Sequence, residues 1–313
     1  MGGARHIVLV VVAGCSFPHG TPATTDGGGD AGDAGTDTPP TCSFGPWSAP
    51  VPLTELNAPG VDNAPWLTDD ELTIYFVTDR VGDRDTDWDI FTATRMSIDL
   101  PFGTPVILPQ INTNRFERNL SLTADQLTMF FASDRPGTLG AMDLWMVTRA
   151  TTTDMFESAN VTHLPNLSSA ATDYFPTTSA DGLTLYFSSN RGAASDLDIY
   201  RTRRGAPNDG FDSPEAVAVL NTGGGEAAMG WGQDERTLFV QSDRTPSQSW
   251  DVWVATRPDV ASELSPLTHV PELSTPKLDF ARWMSRDGKR VYIAATPVGT
   301  LLWDLFVASR ECQ

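Results

Sequence analysis

Histidine is scarce in this 313-residue chain: His6, His19, His163 and His269 are all there are. The first two stand in an N-terminal stretch of low complexity, and the last two in short segments that read as outer strands. No group with metal-ligand spacing exists, so a histidine-based metal centre is excluded. The G-x-S-x-G pattern of a nucleophile elbow is missing as well. Cysteine is limited to Cys15, Cys42 and Cys312. Lys and Arg number 21 against 40 Asp and Glu, giving a net charge of −19 and a pI of about 4.4. The basic residues form no stripe, which argues against nucleic acid, whose phosphates demand one, and against electrostatic docking on anionic lipid. Excess acid of this kind keeps a secreted domain soluble. The apolar run IVLVVVA, residues 7–13, is too short to span a bilayer.

What is present is a repeat. Residues 173–204, DYFPTTSADGLTLYFSSNRGAASDLDIYRTRR, give an extended run, an Asp-Gly turn, the strand LTLYFSS, a polar loop and a second strand. The turn aspartate recurs as Asp70, Asp125, Asp181, Asp234 and Asp287, at steps of 55, 56, 53 and 53. The aspartate opening the next strand recurs as Asp89, Asp143, Asp198, Asp251 and Asp304, each followed six residues later by Arg95, Arg149, Arg204, Arg257 or Arg310. The strands LTIYFVT, LTMFFAS, LTLYFSS, TLFVQS and RVYIAA are apolar on both faces, as strands stacked between neighbours must be. A period near 50 with several strands per unit indicates an all-β propeller.

The motif SADGLTLYFSSNR followed by DIYRT resembles the TolB-type, WD40-like propeller repeat of bacterial envelope proteins, over roughly residues 47–310. That resemblance implies a propeller and leaves function open, since such propellers serve as binding scaffolds, receptor parts and enzyme domains. The blade count comes from a fourth strand. WSAPVPLTELN (47–57) matches segments at 102–112, 156–166, 211–221 and, in degenerate form, 264–274. These read as outer strands, where Pro is tolerated. The first of them has no preceding strands and the last three strands have no following one, so pairing the two would close the ring. The expectation is five blades. The TolB propeller itself has six, and six blades is the alternative, although no segment is left over to build one.

Residues 1–15, MGGARHIVLVVVAGC, read as a signal peptide whose VAGC resembles the bacterial lipobox, with Cys15 as the lipidated residue. An ordinary signal peptide is the alternative. Residues 16–43 are a Gly/Asp/Thr/Pro stretch with little to bury and read as a disordered tether reaching about 25–30 Å; residues 44–313 are the propeller. The expected location is the cell envelope, on the periplasmic side or at the outer membrane, with membrane contact only through the lipid. Cys42 and Cys312 flank the two segments expected to share a blade, so in an oxidising compartment they are expected to form a disulfide.

Two series of side chains invite chemistry. Arg80, Arg135, Arg191 and Arg244 end the second strand in TDR, SDR, SNR and SDR, and Asp89, Asp143, Asp198 and Asp251 follow. Hairpin geometry predicts one structural Arg–Asp pair per blade; in blade five Thr296-Pro297 replaces the arginine. Eight residues before each turn aspartate stand Asp62, Glu117, Asp173, Glu226 and Asp279, at the start of the innermost strand. They are expected to ring the channel mouth, either as a cation or ligand site, with Ca²⁺ the candidate cofactor, or as latches accepting N–H bonds from a neighbouring blade. Trp66, Trp231, Trp283, Trp88, Trp250 and Trp303 read as inter-blade filling, with sugar stacking the alternative. A nearly symmetric ring suits binding better than acid–base catalysis, which needs unlike carboxylates. The sequence is therefore read as a monomeric, non-catalytic binder of an envelope protein or glycan, with a carbohydrate-active five-bladed enzyme as the alternative.

Overall fold

The computed structural model describes residues 43–80, 88–192, 196–246, 249–275, 277–297 and 299–313. Cys15, the lipobox, nearly all of the predicted tether and Cys42 lie outside the described residues.

The repeat builds five four-stranded antiparallel sheets, so the five-bladed expectation holds and the six-bladed alternative falls away. The innermost strands are Asp62–Leu67, Glu117–Leu122, Asp173–Thr178, Glu226–Trp231 and Asp279–Met284, and each touches the next in cyclic order. Two further six-residue strands complete each hairpin ladder, and an outer strand of two or three residues ends the sheet. Blade five takes its outer strand from the other end of the chain: Val51 pairs with Val307 and Pro52 with Phe306. The chain ends continue this zipper, with Gln313 N–H donating to Ser43 O at 2.8 Å and Gly45 N–H to Glu311 O at 3.0 Å. Cys312 is disulfide-bonded.

The second strands are buried almost throughout, with Phe76, Phe131, Phe187, Phe239 and Ile293 all sealed between blades. Trp66, Trp231 and Trp283 are buried there as filling, and such aromatic area supplies much of the hydrophobic drive.

The first turn of each blade has one recurring design. The backbone turns left-handed at Glu71, Gln126, Gly182, Glu235 and Gly288, with φ between 53 and 70°. This is a type I turn closed by a left-handed residue, as in three-residue hairpin loops. The third-strand arginine holds it: Nε of Arg95, Arg149, Arg204, Arg257 and Arg310 donates to the carbonyl of that residue at 2.7–2.8 Å. The same guanidinium stacks on the aromatic that begins an outer segment, at 4.3 Å from Phe102, 4.5 Å from Phe156, 4.6 Å from Phe211 and 4.2 Å from Trp47. In blade four, where Leu264 replaces that aromatic, Arg257 stacks on Trp231 at 4.6 Å. One arginine thus ties the turn, the third strand and the outer segment together, which accounts for its strict phase.

A methyl group at Gly182 would sit 2.7 Å from Thr123 Cγ2 and 3.2 Å from Arg204 Nη2, on top of its φ of +70°. Gly182→Ala is expected to cost about 1–2 kcal/mol in urea unfolding. Gln126→Ala, at a turn that already carries a side chain at φ 61°, is expected to change stability by less than about 0.5 kcal/mol.

Candidate functional site

The five leading acids, Asp62, Glu117, Asp173, Glu226 and Asp279, do stand at the start of the inner strands, and all five are fully buried. They do not line an open channel. Each carboxylate turns outward into its own blade and accepts the backbone N–H four residues earlier, from Ala58, Thr113, Ser169, Thr222 and Thr275, at 2.5–3.0 Å. The geometry fits the latch alternative, because each accepted N–H belongs to the connector leading in from the preceding blade's outer segment, while the charged partner lies in the acid's own blade. A second contact between blades is made by the acids' backbone: Asp62 N–H donates to Trp303 O at 2.8 Å, Glu117 to Trp88 O at 2.8 Å, Asp173 to Met142 O at 2.9 Å and Glu226 to Leu197 O at 2.7 Å. The five acids do not come together as a Ca²⁺ ring would require, and no cluster of three or more Asp, Glu, His or Cys placed to hold a metal occurs among the described residues.

The arginines are the acids' partners. Arg80 meets Asp62 at 2.6 Å, Arg135 meets Glu117 at 2.9 Å, Arg191 meets Asp173 at 2.5 Å and Arg244 meets Glu226 at 2.9 Å. This corrects the expected pairing with Asp89, Asp143, Asp198 and Asp251. The cause is register. Thr78, Ser133, Ser189 and Ser242 lie directly between the two acids of each blade. The hydroxyl accepts the arginine Nε at 2.9–3.2 Å, which aims the guanidinium at the inner strand. Asp143 and Asp251 instead meet His163 at 2.7 Å and His269 at 3.0 Å. Burial is the largest influence on Glu117 and Arg135, raising the acid and lowering the base, and the pair's mutual attraction opposes it. Among the described residues no arginine pairs with Asp279, and burial pushes its carboxyl up to about 6.

With the carboxylates tucked beneath, the front mouth, where the inner strands begin, is collared by other groups. Trp88, Leu197, Trp250 and Trp303 are half-buried around it. Trp88 meets Trp303 edge-on at 5.6 Å and Phe116 edge-on at 6.3 Å. The guanidinium of Arg118 lies 3.9 Å from the Trp88 ring and 4.0 Å from the Phe116 ring. Among the described residues its Nε has no hydrogen-bond partner. Burial lowers Arg118 and raises Tyr174, and both feel the charge of Asp134.

Asp134 belongs to a series the sequence reading passed over, though it sits inside the quoted TDR, SDR, SNR and SDR motifs. Oδ1 of Asp79, Asp134, Asn190 and Asp243 accepts the N–H of the residue before each leading acid, at 2.8–3.0 Å. Three members of this series are carboxylates on the front face, half-exposed at Asp79 and Asp134 and exposed at Asp243.

No protein-family model matches the chain, and no curated protein matches it. Solved structures do. The chain is similar to the endo-arabinase of Bacteroides thetaiotaomicron, with a TM-score of 0.52 at 12% identity over 85% of this chain and 98% of that one. It is similar to the catalytic domain of a GH62 alpha-L-arabinofuranosidase of Coprinopsis cinerea, with a TM-score of 0.48 at 9% identity over 86% and 98%. A prolyl endopeptidase matches at a TM-score of 0.38 and 14% identity over 77% of this chain, which spans about a third of it, 33%. At these identities the likeness is one of fold. The TolB resemblance holds only as far as the propeller fold, and the endo-arabinase is the neighbour that carries this correction. The expectation of a non-catalytic binder is corrected accordingly: a neighbour matched along nearly its whole length is an endo-arabinase, which favours the carbohydrate-active alternative over it.

The latches make an uneven prediction. Asp173→Asn leaves Arg191 facing a neutral amide and is expected to cost about 3 kcal/mol. Asp279 behaves oppositely. Its folded value of about 6 exceeds the ordinary 3.8, so between those two pH values the folded state holds a proton that the unfolded state has lost. Its contribution to stability therefore falls as pH rises from about 4 to about 6, by on the order of 2–3 kcal/mol. Asp279→Asn is expected to remove that slope in urea unfolding at pH 4, 5 and 7. A destabilisation equal to that of Asp173→Asn at pH 7 would show the assignment to be wrong.

Proposed function

We propose that this propeller is a carbohydrate-active enzyme that cleaves a glycosidic bond in a polysaccharide seated across the front mouth. The observation that carries the reading is the half-buried floor of Trp88, Phe116 and Trp303 around the Arg118 guanidinium, with Asp134 beside it. Sugar rings present C–H faces to aromatic rings and hydroxyls to guanidinium and carboxylate groups, and this floor offers both kinds of surface. Glycosidic cleavage needs two carboxylates in unlike settings. Asp79, Asp134 and Asp243 each commit one oxygen to a backbone N–H. Asp134 lies next to a cation and a phenol, while Asp243 stands in the open. Asp134 is the candidate acid–base group, with its partner drawn from the other two. The endo-arabinase likeness supports arabinan as the first substrate to try.

The purified full-length protein, offered arabinan, xylan and mixed-linkage glucan, is expected to release reducing ends from one of them. Asp134→Asn is expected to lower kcat by about 10²-fold or more, and Trp88→Ala to act mainly on KM. Failure to cleave or bind any of the three would defeat the proposal.

We also propose that the protein is exported and lipid-anchored through Cys15, as a monomer carried on the 16–43 tether, and that Cys42 is the partner of Cys312. One experiment reads both: non-reducing peptide mass mapping of the exported protein. A diacylated N-terminal Cys15 peptide and a Cys42–Cys312 cross-linked peptide are expected. An unmodified N-terminus, or an alkylatable Cys42, would overturn the respective assignment.

A further inference from the structure

Arg282 is the fourth residue of the inner strand of blade five and is only 3% exposed. Every other blade has an uncharged residue there: Pro65, Leu120, Pro176 and Met229. The guanidinium carries five N–H donors. Nη2 donates to Leu120 O at 3.2 Å, Nη1 approaches the thioether of Met229 at 3.9 Å, and the Phe175 ring centroid lies 5.8 Å away. Among the described residues no carboxylate pairs with it. Burial alone lowers it, to about 9.

Arg282 lines a cavity of about 20 Å³ that opens toward the rear mouth, where the first turns of the blades lie. Ser121 and Trp231 line the same cavity. The Ser121 hydroxyl and the Trp231 indole N–H are buried and, among the described residues, without a hydrogen-bond partner. Two unanswered donors and one buried positive charge therefore border one small space. Glu235 is at the rim, and its Oε1 is taken by the Ala180 N–H at 2.6 Å.

We propose that this cavity binds a chloride ion, held by the guanidinium of Arg282, the hydroxyl of Ser121 and the indole N–H of Trp231. The volume admits about one particle of water size, which rules out a sugar or a polyatomic oxyanion. A cation is disfavoured by the guanidinium. A water molecule would satisfy two of the donors and leave the charge uncompensated, and an uncompensated buried charge is strongly destabilising. An anion neutralises the charge and accepts from all three donors at once. The cavity lies at the opposite end of the inner strands from the aromatic floor, so the assignment is independent of the proposed activity.

Thermal unfolding of the full-length protein tests it, with sodium chloride exchanged for sodium gluconate at constant ionic strength. A ligand that binds only the folded state stabilises it by mass action, so Tm is expected to rise by about 3 °C per tenfold chloride above Kd. Bromide is expected to substitute, Arg282→Met to abolish the dependence, and Ser121→Ala to weaken it. Should Arg282→Met fail to fold, crystals of the wild-type protein soaked in bromide decide the matter. An anomalous peak between Arg282, Ser121 and Trp231 supports the site. A Tm independent of chloride, or density for water alone in the bromide-soaked crystal, overturns it.

Discussion

The constraint on which the front half of the molecule depends is the burial of one carboxylate per blade. An acid taken fully out of water must be answered by charge and by hydrogen bonds, or it will take up a proton. Four blades answer it in the same way, with a guanidinium, a backbone N–H and, in blades two and four, the second-strand hydroxyl itself. Those demands fix the loop before the inner strand and the end of the second strand. The outer-segment carbonyl is drawn in as well, because the arginine's Nη2 donates to Leu56, Ile111, Leu167 and Leu220. The backbone N–H of the acid then reaches the carbonyl of the residue before the neighbour's third strand. A single buried charge thus sets the interior of a blade and its joint to the next.

The same arrangement decides what the front mouth can present. The leading acids are consumed beneath the surface, and four of the residues whose carbonyls their backbone N–H groups capture form the collar: Trp88, Leu197, Trp250 and Trp303. The carboxylates of the Asp-Arg motif face solvent beside the half-exposed Asp198 and Asp304, and each is held by one oxygen on a rigid N–H. Carboxylates fixed on one side and open on the other are suited to bonds that must form and break. Structural and candidate functional acids therefore alternate along one short motif.

The repeat, the blade count and the closure were legible in the sequence because each is a matter of spacing. The third-strand arginines were legible as a series and opaque in role, since their acceptor is a backbone carbonyl, which leaves no mark on residue identity. The leading acids were located and their environment misjudged. Whether a carboxylate at the head of an inner strand faces the channel or its own loop depends on side-chain direction, and spacing does not encode that. The arginine pairing failed for a related reason: two acids flank one Thr or Ser, and the choice between them rests on where the hydroxyl directs Nε. Arg282 escaped notice because it occurs once. A repeat reading averages over blades, and what a single blade does differently is lost in it.

Blade five departs from the others twice. Its acid lacks the arginine, and its outer strand comes from the far end of the chain. A clasp offsets this on the rear side: Glu71 of blade one binds Arg290 at 2.5 Å and the Tyr292 hydroxyl at 3.1 Å, and Arg95 reaches the same hydroxyl at 2.9 Å. The clasp partners are 219 and 221 residues apart, so loop-closure entropy opposes their pairing until the intervening blades have formed. Folding thus has a defined last step, and by microscopic reversibility spontaneous opening has a defined first one. Hydrogen exchange would register it as a single early-opening unit comprising the strand at 51–52 and the blade at 279–309, with the other four blades still protected.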